Sequence, residues 1–258
     1  MAAVRHAAHP AELPLEHVAE ALVSLVAPTS LAADQYRALR HSVENLRRES
    51  SLQVAAITSP SPGDGKTITT LNLAGALAQA PDARILVVEA DLRRPSMANY
   101  LGSGARLSPG LVDVLRDSRL NWTDVVRRVR GRNLWIAPAG APESAPYELL
   151  SSPRLQAFLD EARREYDFVI VDTPPAVPLP DCRLLERCVD GFLIVVAAHK
   201  TQRALLGEAL DQLDPSKVVG IVFNADDRPT ASYYGYYAAD HDPHGRAGRW
   251  WRRLIGRP

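Results

Sequence analysis

Residues 54–71 read VAAITSPSPGDGKTITTL, and this stretch decides the fold. VAAIT is an apolar strand; ITTLNLAGALAQ, which follows Lys66-Thr67, has the pattern of a helix. Between them lies Ser59–Gly65, where glycines let the backbone bend around an anion and turn its N–H groups inward. The new helix N-terminus adds a fixed positive partial charge. In that setting Lys66 is placed to bridge β- and γ-phosphates and the Thr67 hydroxyl to ligate magnesium. The first glycine of the GxxxxGK[ST] pattern is replaced by Pro60, so the strand–turn–helix context carries the assignment. The expected nucleotide contacts are Pro62, Gly63, Asp64, Gly65, Lys66, Thr67 and Ile68.

Outward from this loop, apolar strand candidates alternate with helical stretches. The strands are expected at Gln53–Thr58, Arg84–Ala90, Asn133–Pro138, Asp167–Asp172, Gly191–Ala197 and Lys217–Asn224. Helices are expected at Lys66–Ala80, Asn121–Arg130, Ser152–Glu165, Asp181–Cys188 and Thr201–Leu213. A further helix begins after Ser30, a plausible N-cap, with Tyr36, Leu39, Val43 and Leu46 on one face; a short one fits Glu16–Val26. Runs such as FVIVD and FLIVVAA are apolar on both pleat faces, as strands covered by helices on both sides must be. The class is therefore α/β, a P-loop NTPase with a doubly wound, mostly parallel sheet. We expect a tail over 1–27, one domain over 28–227 and a second tail over 228–258.

Two further strands end in acids, where ligands of an open parallel sheet bind. ILVVEADLRRP places Glu89 and Asp91 there, and DFVIVDTPP places Asp172. Asp172 suits magnesium, directly or through water; Glu89 or Asp91 suits the metal or the proton of an attacking nucleophile.

The 258 residues carry 30 Lys+Arg and 30 Asp+Glu, so bulk charge points to no polyanionic partner. Cys182 and Cys188 make neither a metal-ligand spacing nor a disulfide framework, which fits a reducing cytosol. No run of eighteen apolar residues occurs and the N-terminus lacks the apolar core of a signal peptide.

SPSPGDGKT, ILVVEADLRRP and FVIVDTPP together resemble the bacterial tyrosine kinases of capsular and exopolysaccharide synthesis, relatives of the MinD/ParA ATPases. The likeness runs from about Val26 to Tyr237 and includes PGLVDVL, ELLSSPRL and VDGFLIVV. It implies ATP and magnesium as cofactors, Lys66 and Thr67 on phosphate and metal, and Glu89, Asp91 and Asp172 as metal and catalytic carboxylates. It also implies that Asn224, at the end of IVFN, contacts adenine. The family has Asp-x-Asp where this chain has Glu89-Ala90-Asp91, one methylene longer. Its helical E-x-x-R-x-x-R corresponds to Asp34, Arg37 and Arg40, which implies a ring-like homo-oligomer through that face; a merely solvated charged face is the alternative. A separate membrane activator is implied as well.

Tyr233, Tyr234, Tyr236 and Tyr237 lie within five residues, after the last strand. They suit autophosphorylation, since an acceptor hydroxyl must sit on an accessible segment. A sticky aromatic loop is the alternative, but Thr230–Asp242 contains neither Lys nor Arg, which argues against nucleic acid. After Asp242 no acid remains, and Arg246, Arg249, Arg252, Arg253 and Arg257 surround Trp250, Trp251, Leu254 and Ile255. Tryptophan and arginine suit an anionic lipid interface; a disordered solubilising tail is the alternative. The expected protein is a cytoplasmic tyrosine autokinase at the inner face of the plasma membrane. A MinD/ParA-like positioning ATPase and a nucleotide-binding regulator remain the competing readings.

Overall fold

The computed structural model describes residues 11–14, 17–102 and 107–226. The chain divides into two units, Met1–Ala225 and Asp226–Pro258. The tyrosine cluster and the basic end lie in the second, outside the described residues.

The first unit opens with β1 (Ala11–Leu13), α1 (Val23–Val26) and α2 (Leu31–Ser50), and continues through β2 (Val54–Thr58), α3 (Lys66–Leu77) and β3 (Ile85–Glu89). Short helices α4 (Met97–Leu101), α5 (Leu111–Arg116) and α6 (Trp122–Val125) lead to β4 (Arg127–Val129) and β5 (Leu134–Ala137). Then come α7 (Tyr147–Leu150), α8 (Pro153–Glu165), β6 (Phe168–Asp172), α9 (Asp181–Leu185), β7 (Gly191–Ala197), α10 (Arg203–Asp211) and β8 (Val218–Asn224). The strands form one sheet in the order β1-β4-β5-β3-β6-β2-β7-β8. Every neighbouring pair is parallel except β4 with β5.

The expected apolar runs explain the two layers of helices. In β2, Ala55 and Ile57 join the core that holds Val43 of α2 and Leu71, Ala74 and Leu77 of α3. The alternate residues Val54 and Ala56 join the core that holds Leu115, Phe158, Leu185 and Ala209 on the opposite face. All four strand residues are fully buried, so truncation at Ile57 to alanine would cost about 2–5 kcal/mol. Helix starts follow their capping chemistry: the Ser30 hydroxyl accepts the Ala33 amide at 3.2 Å, and Ser152 caps α8 ahead of Pro153.

Three expectations are corrected. Asn121–Arg130 is not one helix: after α6 the chain extends into β4, because Arg127 and Arg128 pair with Ile136 and Trp135 of β5. Val126 and Val129 consequently enter the cores on opposite faces of the sheet. The expected N-terminal tail contributes an edge strand, β1, parallel to β4, and α1, whose Leu25 is buried against α3. The helix expected over Asp181–Cys188 stops at Leu185. Among the described residues, no helix is long and apolar enough to cross a membrane. Cys182 and Cys188 are free and buried.

Candidate functional site

The loop after β2 does what its glycines require. Gly63 has φ +78° and Gly65 φ +95°, conformations that cost L side chains strain. Asp64, almost fully buried, accepts the Ser61 amide at 2.9 Å and so closes the turn onto itself. Lys66 and Thr67 begin α3, so the motif lies at the N-terminus of a three-turn helix.

Beside the loop lies a cleft of about 440 Å³, lined by Gly65, Lys66, Thr67, Asp91 and Arg94 and walled by Tyr100, Pro175 and Leu179. Lys66 Nζ sits 3.2 Å from Asp91 Oδ2, with both side chains largely buried. The Thr67 hydroxyl donates to Asp172 Oδ2 at 2.7 Å, and the Thr70 hydroxyl lies 3.3 Å from Oδ1. Asp172 is fully buried, which pushes its carboxyl up to about 7; the Lys66 charge and the Thr67 hydrogen bond pull the other way. Parallel registry places Glu89 directly opposite Asp172 across β3 and β6. Lys66, Thr67, Asp91 and Asp172 are thus brought together as expected from the sequence.

Glu89 bonds backbone amides of two loops. Its Oε1 accepts the amides of Ser96 at 2.6 Å and Met97 at 2.8 Å, and Oε2 accepts that of Ala139 at 3.0 Å. Burial raises the Glu89 carboxyl pKa while these three amides oppose the rise. A carboxylate engaged by three backbone donors is a loop anchor, and that is the use these contacts give Glu89, beside the metal-binding or proton-accepting role expected of it. The reason is reach: the additional methylene carries the carboxyl to the start of α4 and to the end of β5.

Asn224, expected at adenine, places its Nδ2 against the phosphate loop, donating to the Asp64 carbonyl at 3.0 Å. On α2 the three charges take different partners. Arg37 bonds Asp34 and the Pro28 carbonyl, and the pair stays 39% and 40% exposed. Arg40 turns instead to Glu44 at 2.7 Å and to the Ala76 carbonyl at the end of α3 at 2.9 Å. Tyr233, Tyr234, Tyr236 and Tyr237 lie outside the described residues.

Four contributors escaped the sequence reading. Thr70 and Ser96, whose hydroxyl lies 3.3 Å from that of Thr67, had no signal beyond helical or loop placement. Arg93 was visible in ADLRRP; its partner Asp181, buried and 2.9 Å from the Arg93 Nε, was not. Lys200, in the turn after β7, places Nζ 2.9 Å from the Gly63 carbonyl.

The donor set fits magnesium. Among the described residues no three His, Cys, Asp or Glu side chains converge as a metal cage. The hard oxygens at hand are the Thr67 hydroxyl, Asp172 and Asp91, a number that suits an ion completed by phosphate and water.

A family model described as AAA domain matches residues 52–210. Tyrosine-protein kinase YwqD of Bacillus subtilis (strain 168) is 32% identical over 220 residues, which cover 84% of this chain and 90% of YwqD. Succinoglycan biosynthesis transport protein ExoP of Rhizobium meliloti (strain 1021) is 28% identical over 244 residues, 93% of this chain but 30% of ExoP. The kinase domain of Escherichia coli tyrosine kinase ETK matches with a TM-score of 0.71 at 26% identity, over 81% of this chain and 82% of that domain.

Proposed function

This chain belongs to the AAA-domain family and, within it, to the bacterial tyrosine-protein kinases, and from that premise we propose that it phosphorylates its own C-terminal tyrosines, Tyr233, Tyr234, Tyr236 and Tyr237. ATP is the phosphoryl donor. The observation that carries the reading is the meeting of Lys66, Asp91, Thr67 and Asp172 beside one glycine-bent loop. Inward amides of that loop and the Lys66 ammonium take the negative charge of the phosphates, and Lys66 exchanges Asp91 for phosphate as nucleotide enters. Thr67, Asp172 and Asp91 would hold magnesium, which supplies further charge neutralisation on the transferring group. Asp91, freed from Lys66, faces the cleft, where its carboxylate serves either the metal or the phenolic proton. Tyr100, Pro175 and Leu179 form an apolar wall suited to an incoming tyrosine ring. Glu89 holds the loop that carries Asp91 and Ser96 in place.

The wider role that goes with this reading is control of capsule or exopolysaccharide assembly. The chain would act at the inner face of the plasma membrane with a separate membrane activator, as part of a ring-like homo-oligomer. ExoP, named for succinoglycan transport, is more than three times as long as the part this chain matches.

Lys66→Met removes the charge that neutralises the transferring phosphate. Purified variant with ATP and magnesium should give no signal with anti-phosphotyrosine antibody while its circular dichroism matches the parent's. Undiminished phosphotyrosine in a folded variant would overturn the assignment.

A further inference from the structure

We propose that Lys200 and Asn224 form a clasp that presets the phosphate-binding loop before nucleotide arrives, with Lys200 as a positioning residue for the kinase reaction. The inference rests on the reading of this loop as the nucleotide site. The two side chains come from the ends of neighbouring strands, β7 and β8, and bond consecutive carbonyls of the loop. Lys200 Nζ donates to the Gly63 carbonyl at 2.9 Å and Asn224 Nδ2 to the Asp64 carbonyl at 3.0 Å.

Those two carbonyls belong to the peptides that glycine makes easiest to turn. Gly63 and Gly65 flank Asp64, and glycine occupies either sign of φ at little cost. A peptide flip at 63–64 or 64–65 would aim a carbonyl at the polyphosphate and withdraw an N–H from it. An anion nest works only while successive N–H groups converge. Holding each carbonyl from outside the loop fixes the N–H of the following residue on the inner side. The clasp is close-fitting: a Cβ at Gly65 would collide with the Asn224 amide, and one at Gly63 would lie 3.0 Å from Lys200 Nζ.

The clasp is also a single unit. The Ala198 amide donates to the Asn224 carbonyl at 2.8 Å, joining the turn that carries Lys200 to the end of β8. Thr201 Oγ1 accepts the Ala197 amide at 3.0 Å and closes the same turn. Backbone strain flanks both members: His199, just before Lys200, has φ +61°, and Ala225, just after Asn224, has φ +56°. Left-handed backbone at non-glycine residues costs roughly 1 kcal/mol or more and persists where surrounding structure imposes it.

Lys200→Met keeps the length of the side chain and removes its donor; Lys200→Arg keeps a donor. Hydrogen–deuterium exchange on the nucleotide-free protein should show faster exchange in the Met variant for a peptide spanning 59–67, with other regions unchanged. Fluorescent ADP with magnesium should bind the Met variant roughly three- to tenfold more weakly, the range expected for one exposed hydrogen bond. Lys200→Arg should restore both quantities toward the parent. Parental loop exchange in the Met variant would overturn the clasp. So would weakened ADP binding in both variants with loop exchange unchanged, which would make Lys200 a direct ligand of the nucleotide. The exchange measurement involves neither ATP nor tyrosine, so its outcome is separate from the fate of the kinase reading.

Discussion

Glu89 and Asp172 face each other across β3 and β6, are both buried and both have raised carboxyl pKa values, yet their partners differ in kind. Asp172 is bonded by the Thr67 hydroxyl that opens α3; Glu89 is bonded by backbone amides of two loops. Shortening Glu89 by one methylene would draw its carboxyl back from the Ser96, Met97 and Ala139 amides. Each buried amide left unpaired costs on the order of 1–3 kcal/mol, and the loop carrying Asp91 would lose its anchor. Glu89→Asp is therefore expected to slow phosphotyrosine formation at saturating ATP by roughly ten- to a hundredfold, since misplacement of a catalytic group by about 1 Å has effects of that order. It should also lower the melting temperature. A variant faster than the parent would mean that Asp at this position reaches the metal and that the anchor is dispensable.

At the scale of elements, Asp190 ties three of them together at the end of the sheet away from the cleft. Its carboxylate accepts the Gln53 amide at 2.9 Å and the Val54 amide at 2.7 Å, where β2 begins, and both terminal nitrogens of Arg163 on α8. Its own amide bonds the Val54 carbonyl just before β7. Partial burial works against ionisation of Asp190, but the Arg163 hydrogen bond and the two amides outweigh it and hold the carboxyl below its ordinary value of 3.8. With the folded value depressed, the stabilisation is complete above the unfolded value and fades as pH falls through the folded one. Asp190→Asn should thus destabilise the protein by about 1.5–3 kcal/mol near pH 7, the usual range for a hydrogen bond to a charged group. In urea unfolding the gap between parent and variant should narrow below pH 4. A gap that does not change with pH would show that packing, not charge, is what Asp190 contributes.

Assembly and membrane attachment are questions for the whole molecule. Asp34 and Arg37 remain partly exposed on α2, whereas Arg40 is turned onto the end of α3. A contact between copies through this face would therefore depend on Asp34 and Arg37 more than on Arg40. Light scattering on unphosphorylated protein should detect a species larger than a dimer, and Arg37→Ala should reduce it more than Arg40→Ala does. A monomer at high concentration, even with a membrane activator fragment, would remove the ring from the proposal. Phosphates on the tail would add about −1.5 to −2 charges each and should dissociate the assembly. For the basic end, each arginine near an anionic leaflet contributes about 1 kcal/mol, and Trp250, Trp251, Leu254 and Ile255 add apolar area. Truncation after Pro243 should spare catalysis and lower co-sedimentation with phosphatidylserine vesicles, and salt should weaken binding of the full chain. Equal sedimentation of both proteins would rule out the membrane role.

The sequence by itself determined the layered architecture, because a strand buried on both faces must be apolar throughout, as FVIVD and FLIVVAA are. It also located Lys66, Thr67, Asp91 and Asp172, because chemistry at strand ends requires particular residue types at short, readable spacing. Pairing across the sheet was not legible. Val125, Val126 and Val129 fit a helical face as well as a strand, and only the partners Ile136 and Trp135 in β5 made Arg127–Val129 extended. The expected tail became β1 for the same reason, through pairing with a segment more than a hundred residues away. Within the site, tertiary structure decided how the polar groups are used. Glu89 became an anchor because three amides from two loops fall within its reach. Asn224 and Lys200, 160 and 137 residues from their partners, met the phosphate loop only because β7 and β8 end beside it. Local sequence fixes what a side chain is able to bond; long-range packing fixes which partner arrives.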